Sequence, residues 1–212
     1  MQHQAETVKS TDTRVTVTPV TGWDLAKEMA MATMGRQFAK SPTSKWKSIL
    51  CRCEHSPLRT VQFKIEFSNL PSYVSVHFVR HKCGIEHFVQ SQRVDRSESH
   101  TPRHDLPQDA PVLHKMLVNA AEIIFISRRR LCSQASPETR AAWRLVIDQL
   151  RAIGETELAD ACVPECVYRG FCPEFRPCGF ASTPAFATAL SSYRAPCATT
   201  EVVSATNGKG AK

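Results

Sequence analysis

Apolar and polar residues alternate most clearly in two short stretches of the N-terminal half. Residues 15–18 alternate over four positions, and residues 61–67 alternate over the whole run Val-Gln-Phe-Lys-Ile-Glu-Phe. Successive side chains of a strand point to opposite faces of the sheet, so this pattern predicts two strands that each bury one face.

Apolar residues spaced by three and four positions predict helices elsewhere in the chain. Ser136 is a suitable N-cap and Pro137 a suitable first residue, so we predict a helix from Pro137 to about Ile153. We predict further helices over residues 24–38, 71–81, 112–132 and 155–161. Pro57 is expected to open a short helical turn, residues 41–47 to form a loop or the start of a helix, and residues 95–111 a loop. Few strands and several helices indicate an α+β fold.

The domain organisation follows from length and composition. The chain has 212 residues, of which 42% are hydrophobic, and one domain with a sizeable core accounts for it. We expect that domain to span residues 14–180, after a polar, flexible N-terminus over residues 1–13. Residues 181–212 are rich in Ala, Ser and Thr and are predicted to form a disordered tail.

Charge and cysteine content narrow the choice of partner and compartment. Twenty-seven basic residues against 20 acidic ones give a net charge of +7, which suits an anionic partner, either nucleic acid or a phosphate-bearing ligand. No apolar run is long enough to span a bilayer, and the first 14 residues lack the apolar segment of a signal peptide. We therefore expect a cytoplasmic protein whose nine cysteines are reduced thiols or metal ligands.

The densest group of polar side chains lies in residues 80–93. Arg80, His81, Ser91, Gln92 and Arg93 belong to it. A guanidinium offers a planar fork that matches phosphate, and Ser and Gln add neutral donors, so this set can hold a nucleotide. The alternative is a solvated basic surface with no ligand.

The spacing within this group resembles the Arg-His-Arg signature, followed after seven or eight residues by Ser, of the flavin-dependent thymidylate synthases. Arg80, His81 and Ser91 match it, with eight residues between Lys82 and Ser91. Three further segments resemble elements of that family and follow in the same order. They are His55 to Leu58, then Arg103 with Leu106 and Pro107, and finally Asn119 and Ala120 with Arg130 eleven residues after Asn119.

The resemblance implies a fold, a reaction and a set of site residues. It implies a small antiparallel sheet with packed helices, and a homotetramer whose sites are shared between chains. The reaction would methylate dUMP with methylenetetrahydrofolate and reduced FAD, with NADPH as the reductant. No stable nucleic-acid partner and no membrane association are expected. The implied catalytic residues are Arg130 and Ser91; the implied substrate-binding residues are His77, Arg80, Ser91, Gln92, Arg93, Arg103 and Arg130; the implied cofactor-binding residues are His55, Ser56, Arg80, His81, Lys82 and Asn119.

The chain departs from the family pattern at several positions. Lys82 stands in place of the third signature residue, an arginine, and His77 stands where glutamine is common. Phe88 and Val89 replace a frequent Asn-Glu pair, and Ala121 replaces the arginine of an Asn-Ala-Arg element. The connection between Ser91 and Arg103 is also shorter than in typical members. These differences leave open a relative that modifies C5 of another pyrimidine nucleotide.

A different class of function remains open because of the cysteines. Cys162, Cys166, Cys172 and Cys178 lie within a short proline-rich stretch, and four thiols can make a tetrahedral zinc site. Their spacings differ from the usual paired knuckles, and we assign no metal. With the basic charge, such a site would suit a non-catalytic nucleic-acid-binding protein. We interpret Arg128 and Arg129 as a solvated helix end and His87 as either structural or functional.

Overall fold

Four antiparallel strands form the sheet in a computed structural model, which describes residues 12–37, 40–96 and 101–198. The strands are β1 (Arg14–Pro19), β2 (Gln62–Pro71), β3 (Ile85–Val89) and β4 (Pro111–Asn119), in the order β1-β2-β4-β3. Eight helices accompany them: α1 (Trp23–Ala32), α2 (Ser44–Cys53), α3 (Ser72–Phe78), α4 (Ala120–Arg130), α5 (Pro137–Ala152), α6 (Thr156–Ala161), α7 (Glu165–Arg169) and α8 (Pro184–Ala198). The predicted α+β fold with a small antiparallel sheet is confirmed.

The core lies between one face of the sheet and the helices. Phe63, Ile65 and Phe67 of β2 point into it and are fully buried, as the alternation predicted. Phe67 stacks on Phe78 of α3 with ring centroids 5.2 Å apart, and Phe78 meets Trp143 of α5 at 5.6 Å. Burial of each such side chain stabilises the fold by about 1.5–3 kcal/mol. These contacts hold α3 and α5 against the sheet.

The predicted helix over residues 112–132 is wrong in its first half. Residues 111–119 form β4, in which Val112, His114, Met116 and Val118 are buried. Leu113 and Leu117 also fit a helical spacing, but they lie on the opposite face of the strand. In the sequence, the polar residue His114 was not counted as a buried position, and the alternation was therefore missed. Asn119 ends the strand and caps α4, its Oδ1 accepting from the Glu122 amide at 2.9 Å.

The strand β3 was not predicted, because its residues were counted in the charged group. Gly84, with φ of +71°, makes the turn that leads into it. β3 pairs with β4 from Ile85 opposite Val118 to Val89 opposite His114. The polar group is therefore divided by a strand.

Most of the remaining predictions of elements hold. The strands β1 and β2, a 3-10 turn at Ser56–Thr60, and the helices α3, α5 and α6 lie where the pattern predicted them. Ser136 caps α5 by accepting from the Thr139 amide. α1 ends at Ala32, short of the predicted bound, and residue 38 lies outside the described residues. The loop predicted over residues 95–111 contains two 3-10 turns, Val94–Arg96 and Arg103–Asp105, and residues 97–100 lie outside the described part.

A helix occupies part of the segment that composition predicted to be disordered. In α8, Phe186 is buried, and Ala189, Leu190 and Tyr193 pack beside it in a small second core with Cys166 and Val167. Their spacing by three and four residues gives the helix one apolar side, which outweighs its polar composition. Residues 1–11 and 199–212 of the predicted flexible ends lie outside the described residues. No helix in the described part of the chain is long and apolar enough to cross a membrane.

Candidate functional site

The signature segment runs along β3, so its two ends lie at opposite ends of that strand. Arg80, His81 and Lys82 precede the Gly84 turn, and Ser91 follows the last residue of β3. A strand of five residues is about 17 Å long at roughly 3.4 Å per residue. The structure therefore divides the site residues into two groups within one chain.

The group beyond the end of β3 surrounds a cavity of about 370 Å³, called here the Ser91 cavity. Four of the predicted nucleotide-binding residues line it: Ser91, Gln92, Arg93 and Arg103. Ser72, Ser75, Val76 and Val79 of the α3 region form the facing wall. The cavity thus combines two guanidinium groups, three hydroxyl groups and an apolar side, which suits an anionic ligand with an uncharged ring.

The two arginines of the Ser91 cavity differ in how they are held. Arg93 makes a double contact with Asp95, from Nε to Oδ1 at 2.9 Å and from Nη2 to Oδ2 at 2.8 Å. Both side chains are more than half exposed, so this ion pair contributes little and can yield to a ligand. Arg103 is exposed and has no ion-pair partner among the described residues. Within the described part of the chain, Arg103 is therefore the guanidinium of this cavity without a competing carboxylate.

The second group, called here the Arg130 cluster, consists of His77, His81, Glu122 and Arg130. Arg130 donates from Nε to His81 Nε2 at 3.1 Å and from Nη2 to the His77 carbonyl at 2.6 Å. His81 Nε2 is therefore an acceptor, and its Nδ1 faces Glu122 Oε1 at 3.4 Å in a buried setting. Burial lowers the pKa of Arg130, and Arg80 and Arg129 add to the effect. Arg130 does not line the Ser91 cavity.

The ring of His77 is hydrogen-bonded to a residue of α5. Its Nδ1 lies 2.6 Å from Thr139 Oγ1, which in turn lies 2.8 Å from Ser136 Oγ. Burial lowers the pKa of His77, and the charges of Arg130 and Arg80 lower it further. His77 does not line the Ser91 cavity, and its Nδ1 already has a partner on α5.

A chain of hydrogen bonds that sequence reasoning missed connects the two groups. Ser75 Oγ lies 3.0 Å from His114 Nδ1, His114 Nε2 lies 3.0 Å from His87 Nδ1, and His87 Nε2 lies 3.0 Å from the His81 carbonyl. A carbonyl only accepts, so His87 Nε2 carries the proton, His114 donates from Nε2, and Ser75 donates to His114 Nδ1. Burial lowers the pKa of His114 to about 4, and His87 adds to this shift.

Both ring nitrogens of His87 therefore have partners within the chain, and burial lowers its pKa also. His114 was missed because the segment was expected to be helical. The period-two alternation of Val112, Met116 and Val118 was the available signal that a polar residue falls on the inner face.

Two of the predicted flavin-binding residues, Lys82 and Asn119, lie next to the Gly84 turn that leads into β3. The Asn119 backbone N–H donates to the Gly84 carbonyl oxygen, with the nitrogen and oxygen 2.9 Å apart, and the Ser56–Thr60 turn packs on α4. A Cβ on Gly84 would fall 2.1 Å from Asn119 Nδ2, so only glycine allows this approach. Four of the predicted cofactor-binding residues, His55, Ser56, Arg80 and Lys82, have exposed side chains. None of these four side chains makes a hydrogen bond or an ion pair with a described residue.

The interpretation of Arg128 as solvated is wrong. Arg128 is only 7% exposed, forms an ion pair with Glu54, and stacks over the Tyr168 ring with its Cζ 3.5 Å from the centroid. Arg128 follows Ile124 by four residues and therefore lies on the buried side of α4. The run of three arginines in the sequence suggested instead that all three side chains are exposed. Arg129 is about half exposed and its Nε lies 4.0 Å from Glu165 Oε2, so the interpretation of a helix-end surface residue suits Arg129 alone.

The four cysteines chosen from the sequence do not lie together. Cys162 is buried in the main core, and burial raises its pKa to about 12. Cys166, Cys172 and Cys178 line a separate cavity together with Cys132. Burial raises the pKa of Cys132, and Glu174, Cys178 and Cys172 raise it further. In the described residues, no three His, Cys, Asp or Glu side chains are placed to hold a metal ion.

Comparison with known proteins identifies the fold. No protein-family model and no curated protein sequence matches the chain. Thymidylate synthase X from Helicobacter pylori, solved with FAD and dUMP, superposes with a TM-score of 0.59 at 14% identity, covering 71% of this chain and 99% of that one. The chain has the fold of a flavin-dependent thymidylate synthase. A second structure of the Helicobacter pylori enzyme complexed with FAD and dUMP gives a TM-score of 0.55 at the same identity and coverage.

Proposed function

We propose that this chain is a flavin-dependent thymidylate synthase that methylates dUMP to dTMP, with residues 14–180 as its catalytic domain. The observation that carries the proposal is the Ser91 cavity. On the fold shared with an enzyme solved with FAD and dUMP, it joins Ser91, Gln92, Arg93 and Arg103 around one space. The fold alone does not assign a function, and these side chains supply the chemistry that a nucleotide requires.

In this proposal the nucleotide phosphate binds at the arginines of the Ser91 cavity. Arg103 has no competing ion pair among the described residues, and Arg93 exchanges Asp95 for the phosphate. Ser91 and Gln92 then hydrogen-bond the nucleoside, while Val76 and Val79 pack on the pyrimidine. Each charge-assisted hydrogen bond contributes about 1.5–3 kcal/mol, so one such bond from each guanidinium supplies about 3–6 kcal/mol of the roughly 8 kcal/mol that micromolar affinity requires.

FAD is proposed to bind at the start of β3. Arg80 and Lys82 are exposed cations that suit its diphosphate, His55 and Ser56 add donors, and Asn119 Nδ2 is available beside Gly84. When bound and reduced by NADPH, the flavin would supply the hydride, and methylenetetrahydrofolate the carbon. The role of Arg130 and the other arginines is to neutralise negative charge on the nucleotide and hold it in place.

We propose a homotetramer in which each site is completed by a second chain. The support is the length of β3, since about 17 Å separate Ser91 from the Arg80 end of the signature. A substrate at one end cannot reach the other within one chain, but a neighbouring chain can bring its Arg130 cluster to the Ser91 cavity. A fully active monomer in gel filtration would contradict this arrangement.

A related activity on another pyrimidine nucleotide is the second candidate. His77 stands where glutamine is common, and its Nδ1 is already hydrogen-bonded to Thr139 Oγ1. Lys82 changes the signature itself, and Ala121 changes the Asn-Ala-Arg element. C5 chemistry such as hydroxymethylation uses the same phosphate contacts but a different recognition of the ring.

Two measurements test the proposal on the 212-residue chain, which we expect to act as a soluble cytoplasmic enzyme. Purified protein reconstituted with FAD is expected to show flavin absorbance and, at hundredfold excess over the dissociation constant, about 2.7 kcal/mol of stabilisation. Release of tritium from C5-labelled dUMP with NADPH and methylenetetrahydrofolate then tests the reaction. Flavin binding without tritium release favours another pyrimidine. A colourless protein that binds DNA in a salt-dependent manner would overturn the enzyme assignment.

A further inference from the structure

One wall of the Ser91 cavity holds a hydroxyl group whose hydrogen-bonding direction is fixed from inside the protein. Ser75 lines the cavity from α3 and is 3% exposed. Its Oγ lies 3.0 Å from Nδ1 of His114, a fully buried residue of β4. A free serine hydroxyl rotates to donate or accept as a ligand requires, so a fixed direction at Ser75 changes what this wall can recognise.

The direction is set by the main-chain carbonyl at the far end of the chain of hydrogen bonds. The His81 carbonyl only accepts, so His87 holds its proton on Nε2 and accepts at Nδ1 from His114 Nε2. His114 Nδ1 is then an acceptor, and the proton in its bond to Ser75 comes from the hydroxyl. Burial lowers the pKa of both histidines, which keeps the two rings neutral at neutral pH and these protons in place.

We propose that Ser75 is a specificity-determining residue of the Ser91 cavity, whose oxygen accepts a hydrogen bond from a neutral N–H or O–H group of the bound nucleotide. The inference rests on the proposed function, which places dUMP in this cavity. Two groups of dUMP have this chemistry, the imide N–H of the uracil ring and the 3′-hydroxyl of the deoxyribose. A ligand that presents only lone pairs at this wall would meet the lone pairs of Ser75 and lose the contact.

The surroundings of Ser75 make this acceptor distinct within the cavity. Arg93 and Arg103 only donate, and Oε1 of Gln90 already accepts from the Leu113 amide at 3.0 Å. In the described part of the chain, the side chain of Ser75 is hydrogen-bonded to His114 alone, so its oxygen lone pairs remain for a ligand. The cationic donors suit the phosphate, and the α3 wall suits an uncharged part of the nucleotide.

The proton positions can be measured without a ligand. Long-range nitrogen–proton NMR correlations of the histidine rings in the 212-residue chain report which ring nitrogen carries the proton. We expect the proton on Nε2 of both His87 and His114 at neutral pH. A proton on His114 Nδ1 would make Ser75 the acceptor within the protein, and it would overturn the proposal whether or not a nucleotide binds.

Calorimetry on the flavin-loaded protein then compares dUMP with two analogues, one methylated at the imide nitrogen and one lacking the 3′-hydroxyl. Ser75→Ala should weaken dUMP binding about tenfold, the loss expected when one buried hydrogen bond is not made. The substitution should leave nearly unchanged the affinity for the analogue that lacks the donor Ser75 meets, and it should weaken the other analogue as much as dUMP. This difference identifies the donor, whereas a merely structural role of Ser75 would weaken all three ligands equally.

Two control variants separate the direction of the hydrogen bond from the presence of a hydroxyl. Ser72→Ala removes another hydroxyl of the same wall and should leave the affinity ratios among the three ligands as in the wild type. His114→Phe keeps the Ser75 hydroxyl but frees its proton, so the ratios should fall toward one. A phenyl ring suits this position, because the ring centroids of Phe67 and Phe78 already lie 6.1 and 6.3 Å from that of His114.

The outcomes distinguish this inference from the proposed function. Equal losses for all three ligands in Ser75→Ala, changed ratios in Ser72→Ala, or unchanged ratios in His114→Phe would overturn the role of Ser75 while dUMP binding by the wild type upholds the site. If Ser75→Ala does not fold, the ratios in His114→Phe decide the question. A wild-type protein that binds FAD but not dUMP would remove the proposed function, and the role of Ser75 with it.

Discussion

Removing the Arg128 side chain should destabilise the fold severely, although its neighbour Arg129 tolerates the same change. Arg128 is buried, pairs with Glu54, and lies over the ring of Tyr168. Arg128→Ala leaves the Glu54 carboxylate without its partner in a site where that group is only 28% exposed. Arg129 is about half exposed, and its distance of 4.0 Å from Glu165 permits only a weak interaction.

The magnitude follows from these contacts. Breaking a buried ion pair costs about 3–5 kcal/mol, and partial exposure of Glu54 places this pair near the lower end of that range. A desolvated cation–π contact contributes up to about 2 kcal/mol, part of which Lys could keep. We therefore expect a loss of about 3 kcal/mol for Arg128→Ala, about 1–2 kcal/mol for Arg128→Lys, and less than about 0.5 kcal/mol for Arg129→Ala.

Urea denaturation at neutral pH measures these differences, and a melting curve should show a fall of about 6–12 °C for Arg128→Ala. A double-mutant cycle with Glu54→Gln should give a coupling of at least 1 kcal/mol if the ion pair carries the effect. Equal stability of Arg128→Ala and Arg129→Ala would refute the burial of Arg128. A large loss without coupling to Glu54 would assign the effect to packing on Tyr168 alone.

Three further changes test other parts of the structure. Arg130→Lys should weaken nucleotide binding ten- to a hundredfold, or about 1.5–3 kcal/mol, by calorimetry on the flavin-loaded protein, because an ammonium lacks the fork; unchanged affinity would remove Arg130 from the site. Burial lowers the pKa of His114 from 6.5 to about 4, so the unfolded chain binds more protons than the folded chain between these pH values. In urea titrations, the contribution of His114 to the free energy of unfolding should be complete above pH 6.5 and should fall by about 3 kcal/mol toward pH 4. A flat profile would contradict this. Gly84→Ala should destabilise by more than Gly154→Ala, since both have positive φ but only the former brings a Cβ against Asn119; equal losses would mean that the contact is relaxed.

The sequence predicted helices and strands well wherever the apolar residues followed a single spacing, either that of a strand or that of a helix. Residues 61–67 alternate without interruption, and Ser136 and Pro137 mark a helix start that no tertiary contact opposes. Residues 112–132 failed because Leu113 and Leu117 fit a helical spacing while Val112 and Val118 fit a strand. The boundary signal was Asn119 followed three residues later by Glu122, a helix cap that lies inside the supposed helix.

The candidate site was predicted in its residue types but not in its arrangement. Spacing along the chain placed Arg80 and Ser91 in one motif, yet it could not reveal that a strand separates them. Arg128 and Arg130 are only two positions apart in the sequence. The helix turns by about 100° per residue, so their side chains point to different neighbours, the Tyr168 ring for Arg128 and the His77 carbonyl for Arg130. The sequence likewise gave no sign that Cys132 and Cys172 line the same cavity, because they are brought together by the path of the chain through α5 and α6.

The two halves of the candidate site are held in register by the same strand that separates them. His87 lies at the centre of β3, and its two ring nitrogens bond the His81 carbonyl and His114. His114 in turn is bonded by Ser75, which lines the Ser91 cavity, while the ring of His81 accepts from Arg130. Each partner in this chain has one assigned donor, so a proton added to His87 Nδ1 would face the His114 Nε2 proton and break the link. Burial, followed by the charge of His87, lowers the pKa of His114, and a neutral pair of histidines is the state in which the Ser91 cavity and the Arg130 cluster are joined by unbroken hydrogen bonds.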